Sequence, residues 1–297
     1  MKTRNPAKPI FLVLFVLYML IPILATYLFS VAVRWDRSIL PEGYTLEWYA
    51  KTFQHPYFII TLKNSFILAV YSVITNIILI VPATYVAHTR LPAARLPMDI
   101  LTILPFGIPR VILALALITV YTFQPVARSP FLLVCACTIF SMPYMYRPVS
   151  NSLLAIDLRT LNDAAQLQGA NTLQVLFYII GPNIMTGIIS GSLLVFSAIF
   201  AEYTLARLIT GARFKTLPVL LVEFTRRDGR IASAISVVAF TVALLLSLAI
   251  IIIARRSRKS ATGQVVNSMK KEVIEENQSS KDTSFSGLIK KKEGEEK

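Results

Sequence analysis

Six long runs of apolar residues dominate the sequence, and each is close to the length that crosses a lipid bilayer as a helix. They occupy residues 10–33, 64–87, 98–123, 131–146, 183–206 and 231–254. Spanning the hydrocarbon core takes about 20 mostly apolar residues. The fourth run has only 16 residues, but its helix can extend through Pro148 to Leu154. Because the runs are too long and continuous for barrel strands, they predict an all-α membrane protein with six transmembrane helices.

The composition agrees with this class. Apolar residues make up 55% of the chain, charged residues make up 15%, and the mean hydropathy is +0.62, values that are unusual for a soluble domain. The first apolar run follows three basic residues, but it is too long for the hydrophobic part of a cleaved secretory signal. We therefore expect residues 1–9 to be a short cytoplasmic N-terminus and residues 10–254 to be the transmembrane domain.

The distribution of lysine and arginine indicates the orientation only weakly. With the N-terminus inside, eleven basic residues of the termini and short loops lie on each side of the membrane. The first helix decides between the two orientations, because three basic residues precede it, whereas Arg34 and Arg37 follow it and are offset by Asp36. Six spans then place both termini, and the loop at residues 152–182, in the cytoplasm.

The C-terminal segment differs in composition from the rest of the chain. Residues 260–297 contain seven basic and seven acidic residues and few apolar ones, so they cannot bury enough surface to fold alone. We expect residues 255–297 to be a disordered cytoplasmic tail. The net charge of +14 then belongs to the transmembrane domain and its loops, where it suits anionic lipid headgroups better than nucleic acid.

A polar stretch between the fourth and fifth apolar runs carries the most specific motif. It reads Asp163-Ala164-Ala165, three residues, Gly169, nine residues, Ile179, one residue and Gly181-Pro182. From Ser152 the sequence is compatible with a helix until Gly169 permits a sharp change of direction. A second helical segment from Asn171 leads to the next span. The pattern therefore predicts a short helix across the membrane normal, with a bend at each end.

This spacing resembles the cytoplasmic EAA loop of permease subunits in binding-protein-dependent ABC importers. The family pattern is Glu-Ala-Ala, three residues, Gly, nine residues, Ile, one residue and Leu-Pro. Asp163 replaces the Glu and keeps its charge, and Gly181 replaces the Leu. The similarity extends to residues 45–49 and to Asn64-Ser65. It implies a MetI-like bundle with a coupling helix between helices 4 and 5; the alternative is an ordinary amphipathic loop on the bilayer surface.

The resemblance also implies residue roles and partners. The residues expected to contact an ATPase are Arg159, Asp163, Ala164, Ala165, Gly169 and Pro182. The two small alanines would let a partner surface approach the backbone closely. The expected partners are two ATP-binding subunits, a second permease subunit that is identical or homologous, and an extracytoplasmic solute-binding protein, all at a bacterial plasma membrane. Residues 213–230 are the expected docking region for the binding protein.

The sequence contains no nucleotide-hydrolysing motif of its own. The phosphate cradle Gly-x-x-x-x-Gly-Lys-Ser/Thr is absent, so ATP and Mg²⁺ are expected in a partner ATPase. No nucleophile and base pair suggests an intramembrane enzyme. We therefore expect a translocation subunit without catalytic residues, cofactor or metal.

Charged residues within the apolar runs indicate a translocation path, because they are costly in lipid. They are Asp99, Arg110 and Glu202, with Asp99 close to the end of its span. Along continuous helices, Arg110 lies about 18 Å beyond Met98, and Glu202 lies at a depth that differs from it by about 10 Å. We expect Arg110 to line the path and attract an anionic group, with Glu202 at the outer gate. Two alternatives stay open: an ion pair between them, or an Arg110 side chain that reaches the interface.

Two further patterns concern helix shape. Pro105 and Pro109 should bend the third span and free carbonyl groups that a pore lining would tolerate. Gly187 and Gly191 form a Gly-x-x-x-Gly surface on the fifth span, which favours close helix packing over substrate contact.

For the substrate, the resemblance is nearest the branch that serves polyamines, iron(III), thiamine and aminoethylphosphonate. Arg110 favours a small anion or zwitterion such as a phosphonate, and a polyamine or iron(III) importer is the alternative. A secondary transporter or channel that acts without an ATPase is a weaker alternative, because the spans contain few proton-relay acids and no evident inverted repeat.

Overall fold

The computed structural model describes residues 7–252, with side chains from Phe11 onward. The chain divides into two compact units, Met1–Ser247 and Leu248–Lys297. The described elements belong to the first unit, except for the last residues of the final helix. The predicted tail at residues 255–297, and most of the predicted N-terminal segment at residues 1–9, lie outside the described residues.

The described part of the chain is almost entirely helical. Its helices are α1 (Ala7–Val31), α2 (Glu47–Gln54), α3 (Phe58–Thr89), α4 (Arg95–Ile103), α5 (Arg110–Val120), α6 (Pro130–Leu154), α7 (Leu158–Leu167), α8 (Thr172–Asn183), α9 (Met185–Phe200), α10 (Leu217–Thr225) and α11 (Gly229–Ile252). The middle of α8, Val175–Ile180, is π-helical, and a second π-helical turn covers Ala206–Thr210. The predicted all-α class is confirmed.

Within the described residues, four helices are long and apolar enough to cross a membrane alone, namely α1, α3, α6 and α11. Two bent pairs supply the other candidates: Pro92–Gly107 with α5, bent by 96°, and α8 with α9, bent by 79°. If each pair counts as one span, the described residues contain the six predicted spans. Helix α6 extends to Leu154, as the sequence analysis expected for its short fourth run.

The third span is the one most changed from its prediction. A 3₁₀ turn at Leu104–Gly107 ends with Ile108 and Pro109 in extended conformation, and α5 begins at Arg110. The bend predicted from Pro105 and Pro109 is therefore confirmed. The depth of Arg110 that we calculated along one continuous helix is wrong, because the chain turns before it reaches this residue.

The core of the bundle lies where α3, α6 and α9 pack against one another. Two glycines of α9 let its backbone approach α6 closely. A Cβ atom at Gly191 would lie 2.7 Å from Met145 Sδ, and one at Gly187 would lie 2.5 Å from the Pro148 carbonyl oxygen. The packing role that we predicted for this Gly-x-x-x-Gly surface is confirmed, since any side chain there would overlap α6.

Helix α1 contrasts with this core, because none of its membrane-length window is buried within the chain. Its C-terminal end is nevertheless attached to α2. The Trp48 indole Nε1 donates to the Ala32 carbonyl at 2.9 Å, and the hydroxyls of Ser30 and Tyr49 lie 2.7 Å apart. Residues 45–49, part of the family resemblance, thus fix where the first span ends.

Candidate functional site

Helix α7 lies between α6 and α8, and a side-chain cap sets its first residue. The Asp157 carboxylate accepts hydrogen bonds from the Thr160 backbone amide at 3.3 Å and from the Thr160 hydroxyl at 2.7 Å. These bonds hold the pKa of Asp157 below its ordinary value. We expected a continuous helix from Ser152 to Gly169, and this is wrong, because α6 ends at Leu154 and α7 begins only after the cap. Aspartate is a preferred N-cap residue, so Asp157 was the feature of the sequence that indicates a new helix start.

The other end of α7 turns sharply at Gly169, as predicted. Gly169 has φ +82°, a left-handed conformation that glycine adopts without steric cost. Two residues later, Asn171 and Gln174 form a reciprocal capping box: the Gln174 amide donates to Asn171 Oδ1 at 2.9 Å, and the Asn171 amide donates to Gln174 Oε1 at 2.8 Å. Helix α7 is therefore a separate element with defined turns on both sides.

One face of α7 packs on the rest of the chain. Leu158, Leu161 and Ala165 contact the hydrophobic core, and the Tyr85 hydroxyl of α3 donates to Asn162 Oδ1 at 2.7 Å. Ala165 is only 5% exposed. Our expectation that Ala165 meets a partner surface is therefore wrong, since successive residues of a helix point about 100° apart and only Ala164 points outward.

The opposite face of α7 is open, and we call Arg159, Asp163, Ala164 and Leu167 the coupling face. The side chains of Arg159 and Asp163 are 93% and 67% exposed, with 4.0 Å between Nε and Oδ2. Leu167 is 89% exposed. An exposed pair at this distance contributes at most about 1 kcal/mol, so both charges stay available to a partner. The structure thus groups three of the predicted contact residues on one exposed face.

The bend after α8 lies at Ile184, two residues beyond Pro182, where we expected the next span to begin. Pro182 is exposed in the last turn of α8. Gly181, which departs from the family pattern, has a local explanation. A Cβ atom there would lie 2.9 Å from the Leu176 carbonyl oxygen of the π-helical segment, so a leucine would clash in this conformation.

Arg110 and Glu202 form an ion pair, with 2.7 Å between Nη1 and Oε2. Glu202 is two residues past the end of α9, and its Oε1 accepts a hydrogen bond from the Leu205 amide at 2.9 Å. The depth difference of about 10 Å assumed straight helices, and that assumption does not hold for the third span, which bends by 96° before α5. Of the alternatives left open, the structure contains the ion pair.

The two members of this pair differ in exposure. The side chain of Glu202 is 1% exposed, whereas that of Arg110 is 41% exposed. The guanidinium carbon of Arg110 also lies 4.4 Å from the centre of the Phe140 ring, within cation–π range. The two carboxylate oxygens of Glu202 are thus occupied by Arg110 and by the Leu205 amide, and only the arginine has surface left for a further contact.

Two residues of the family resemblance have a structural role that the sequence did not reveal. Asn64 Nδ2 donates to the Lys215 carbonyl at 2.9 Å, and Ser65 Oγ accepts from the Leu217 amide at 2.8 Å. Together they attach the first turns of α3 to the start of α10. This part of residues 213–230 is therefore fixed against the bundle.

Comparisons with known proteins agree with this geometry. A family model described as "Binding-protein-dependent transport system inner membrane component" matches residues 80–260. The probable ABC transporter permease protein y4fN of Sinorhizobium fredii is 25% identical over 277 residues, which cover 89% of this chain but 48% of y4fN. This chain thus spans about half the length of that relative.

Two further relatives are named for the solutes that they transport. The molybdate/tungstate transport system permease protein WtpB of Pyrococcus furiosus is 26% identical over 69% of this chain and 82% of its own length. The putrescine transport system permease protein PotI of Escherichia coli is 31% identical over 41% of this chain and 45% of its own length.

A solved structure has the same fold. It is a chain of a bacterial ABC transporter involved in the import of the acidic polysaccharide alginate, and it aligns over 82% of this chain and 94% of its own length with a TM-score of 0.58. At 18% identity this likeness concerns the fold alone.

Proposed function

Because this chain belongs to the family of binding-protein-dependent transport system inner membrane components, we propose that it is the permease subunit of an ATP-driven importer that receives a small solute from a solute-binding protein. Its partners would be two ATP-binding subunits, which hold ATP and Mg²⁺, a second permease subunit and the binding protein. Both termini and α7 would face the cytoplasm.

The observation that carries this proposal is the position of α7. It is capped at Asp157, turns at Gly169, and leads through α8 to a 79° bend before α9. Its inner face contacts the core of the bundle, while its coupling face is open. A displacement imposed on the coupling face would be transmitted as a rigid-body movement to the spans on either side.

The proposed cycle follows from this connection. Closure of the ATP-binding subunits would move α7 and, through α6 and the α8–α9 bend, open the bundle to the outside. Solute would enter from the binding protein, docked near residues 213–230. Hydrolysis would let α7 return and open the path to the cytoplasm.

For the solute, we propose a small anion or zwitterion, such as a phosphonate. The support is that Arg110 is the exposed member of its ion pair and Glu202 the buried one, so the surface offered to solute is cationic. The similarity to a permease named for molybdate and tungstate, both oxyanions, favours the same class.

A polyamine is the second candidate, and the 31% identity to the putrescine permease over 128 residues favours it. Iron(III) is the other cationic solute that is consistent with the family resemblance, and the same uptake assay tests it. A cationic solute would need carboxylates in the path, and Glu202 is already occupied by Arg110. The second permease subunit would then have to supply them.

The test begins with purification of the tagged chain from its own membranes and identification of the subunits that remain bound. The complex is then reconstituted into proteoliposomes with its binding protein, and uptake of labelled phosphonate, molybdate, putrescine and iron(III) is measured with and without internal ATP. We expect anion uptake that needs both ATP and the binding protein.

Two outcomes would contradict the proposal at different levels. Uptake of putrescine or iron(III) alone would overturn the substrate class and leave the importer function intact. Uptake driven by an ion gradient in the absence of ATP-binding subunits would instead establish a secondary transporter.

A further inference from the structure

A cavity of about 470 Å³ lies beside α7, at the edge of its coupling face, where the end of α3, the start of α4 and the end of α6 meet. It is partly open to the surface. Its polar lining residues are His88, Thr89, Arg90, Arg95, Arg159, Asn162, Asp163 and Gln166. Sites for small ligands have volumes of about 300–1,000 Å³, so the space is sufficient for a ligand.

The charge of this lining is predominantly positive. Three arginines face one carboxylate, that of Asp163, and the contact of Asp163 with Arg159 is 4.0 Å long and exposed. Both ring nitrogens of His88 are already hydrogen-bonded, to the Thr84 carbonyl at 2.9 Å and to Ser150 Oγ at 3.1 Å. The arginines are therefore the groups available to a ligand.

Among the three arginines, Arg95 has a partly buried guanidinium with few hydrogen-bond partners. Its Nη2 donates to the His88 carbonyl at 2.9 Å, but its Nε is buried without a hydrogen-bond partner among the described residues. Asp99, one turn further along α4, is not within ion-pair distance of it in the described part of the chain. A partly buried guanidinium held by one neutral carbonyl is unfavourable without a counterion.

The other two arginines approach the same space from different elements. Arg90, just past the end of α3, donates to the Thr172 hydroxyl at the start of α8, and Arg159 extends from the first turn of α7. Guanidinium groups match the geometry of phosphate oxygens and bind them through paired hydrogen bonds. The three arginines thus surround a space suited to an oxyanion.

We propose that this cavity is a binding site for a phosphate-bearing anion, either free phosphate or the headgroup of an anionic lipid, held by Arg90, Arg95 and Arg159. Because these residues come from the α3–α4 connection and from α7, the bound anion joins the two. The coupling helix would then be held more firmly on the bundle when the site is occupied. This inference goes beyond the proposed transport function and shares one residue with it, since Arg159 also belongs to the coupling face.

The test measures binding without transport. The full-length protein, with the subunits that copurify, is prepared in maltoside detergent, which contains no phosphate. One arm titrates labelled inorganic phosphate against chloride at equal ionic strength. The other arm counts retained phosphatidylglycerol and phosphatidylcholine molecules by native mass spectrometry. Saturable phosphate binding identifies a soluble anion, and selective retention of phosphatidylglycerol identifies a lipid headgroup.

Three variants make the result specific to the cavity. Arg95→Gln and the well-exposed Arg159→Gln should each weaken binding roughly tenfold, the loss expected for one charge-assisted hydrogen bond. Arg147→Gln is the matched control, since Arg147 is exposed near the same end of α6 and does not line the cavity. Because Arg159 is almost fully exposed, its replacement should leave folding unchanged even if Arg95→Gln unfolds.

Two results would overturn the proposal. One is the absence of saturable binding in both arms for the wild-type protein. The other is an equal loss of binding in Arg147→Gln and Arg159→Gln, which would mean that the anion responds only to overall charge.

Discussion

The two arginine–carboxylate pairs at Arg110–Glu202 and Arg159–Asp163 have the same chemistry and opposite surroundings. The first has a distance of 2.7 Å and a carboxylate that is 1% exposed, whereas the second has 4.0 Å and a carboxylate that is 67% exposed. Breaking a buried pair leaves an uncompensated charge, but breaking an exposed pair leaves two solvated ones. The first pair is therefore part of the fold, and the second is free to contact another protein.

The largest effect is expected for Glu202→Ala. It leaves the buried Leu205 amide without its acceptor, and Arg110, which is 41% exposed, without its partner, so the free energy of unfolding should fall by about 1–3 kcal/mol. Denaturation in detergent, followed by circular dichroism, measures this. Glu202→Gln is the matched variant: it can still accept from Leu205, so it should lose less. A stability within about 0.5 kcal/mol of wild type for Glu202→Ala would show that the buried pair is not structural.

A smaller effect is expected for Tyr85→Phe. It removes the hydrogen bond to Asn162, which we regard as the main polar attachment of α7 to the bundle, and should cost about 1 kcal/mol. Hydrogen exchange of the α7 amides should increase with little change elsewhere. Tyr178→Phe is a suitable control, because Tyr178 is 79% exposed. Unchanged exchange in α7 would mean that apolar packing alone holds this helix.

Asp163→Asn should change stability by about 0.5 kcal/mol or less, because the pair that it breaks is exposed. Its effect should appear instead in ATP-dependent uptake, through loss of the contact with the ATP-binding subunit. Thermal denaturation and uptake are measured on the same preparation. A large loss of stability would mean that Asp163, like Glu202, stabilises the folded protein. The two ion pairs would then not differ in their structural role.

The smallest effect is expected when the pH is lowered, and it concerns the stability of the first turn of α7. The hydrogen bonds from Thr160 lower the pKa of Asp157, so the ionised cap stabilises α7 above the ordinary aspartate pKa, and this contribution is lost as the pH falls through the lowered value. Hydrogen exchange at the start of α7 should therefore increase in acid. Asp157→Asn keeps an N-cap without this titration, and its exchange should not show the same pH-dependent opening. An equal acid response in both proteins would contradict the assignment.

The sequence predicted correctly those features that depend on the length of an apolar run or on the presence of a glycine. Apolar length predicted the spans, Gly169 predicted the turn after α7, and the two glycines of α9 predicted close packing. It failed where three-dimensional placement matters. The contact between Arg110 and Glu202 could not be predicted from the sequence. It depends on the angle of the bend before α5, and packing sets the angle of such a proline-containing break.

The coupling helix illustrates the same limit at one residue. Ala164 and Ala165 are equivalent in the motif, yet only one of them is exposed. Which face of α7 packs inward depends on Leu158 and Leu161, whose spacing indicates a buried stripe once the helix start at Leu158 is known. The expectation for Ala165 came from the small size of both alanines and did not take this buried stripe into account.

The central claim is that the coupling face of α7 binds an ATP-binding subunit. The most direct measurement is co-purification of that subunit with Ala164→Arg, which adds bulk and charge to the exposed face. The control is Gln54→Arg, at an exposed site beside the opposite end of α3. Our account predicts that Ala164→Arg folds normally and loses the ATP-binding subunit while Gln54→Arg retains it. Full retention by Ala164→Arg, with unchanged ATP-dependent uptake, would contradict it.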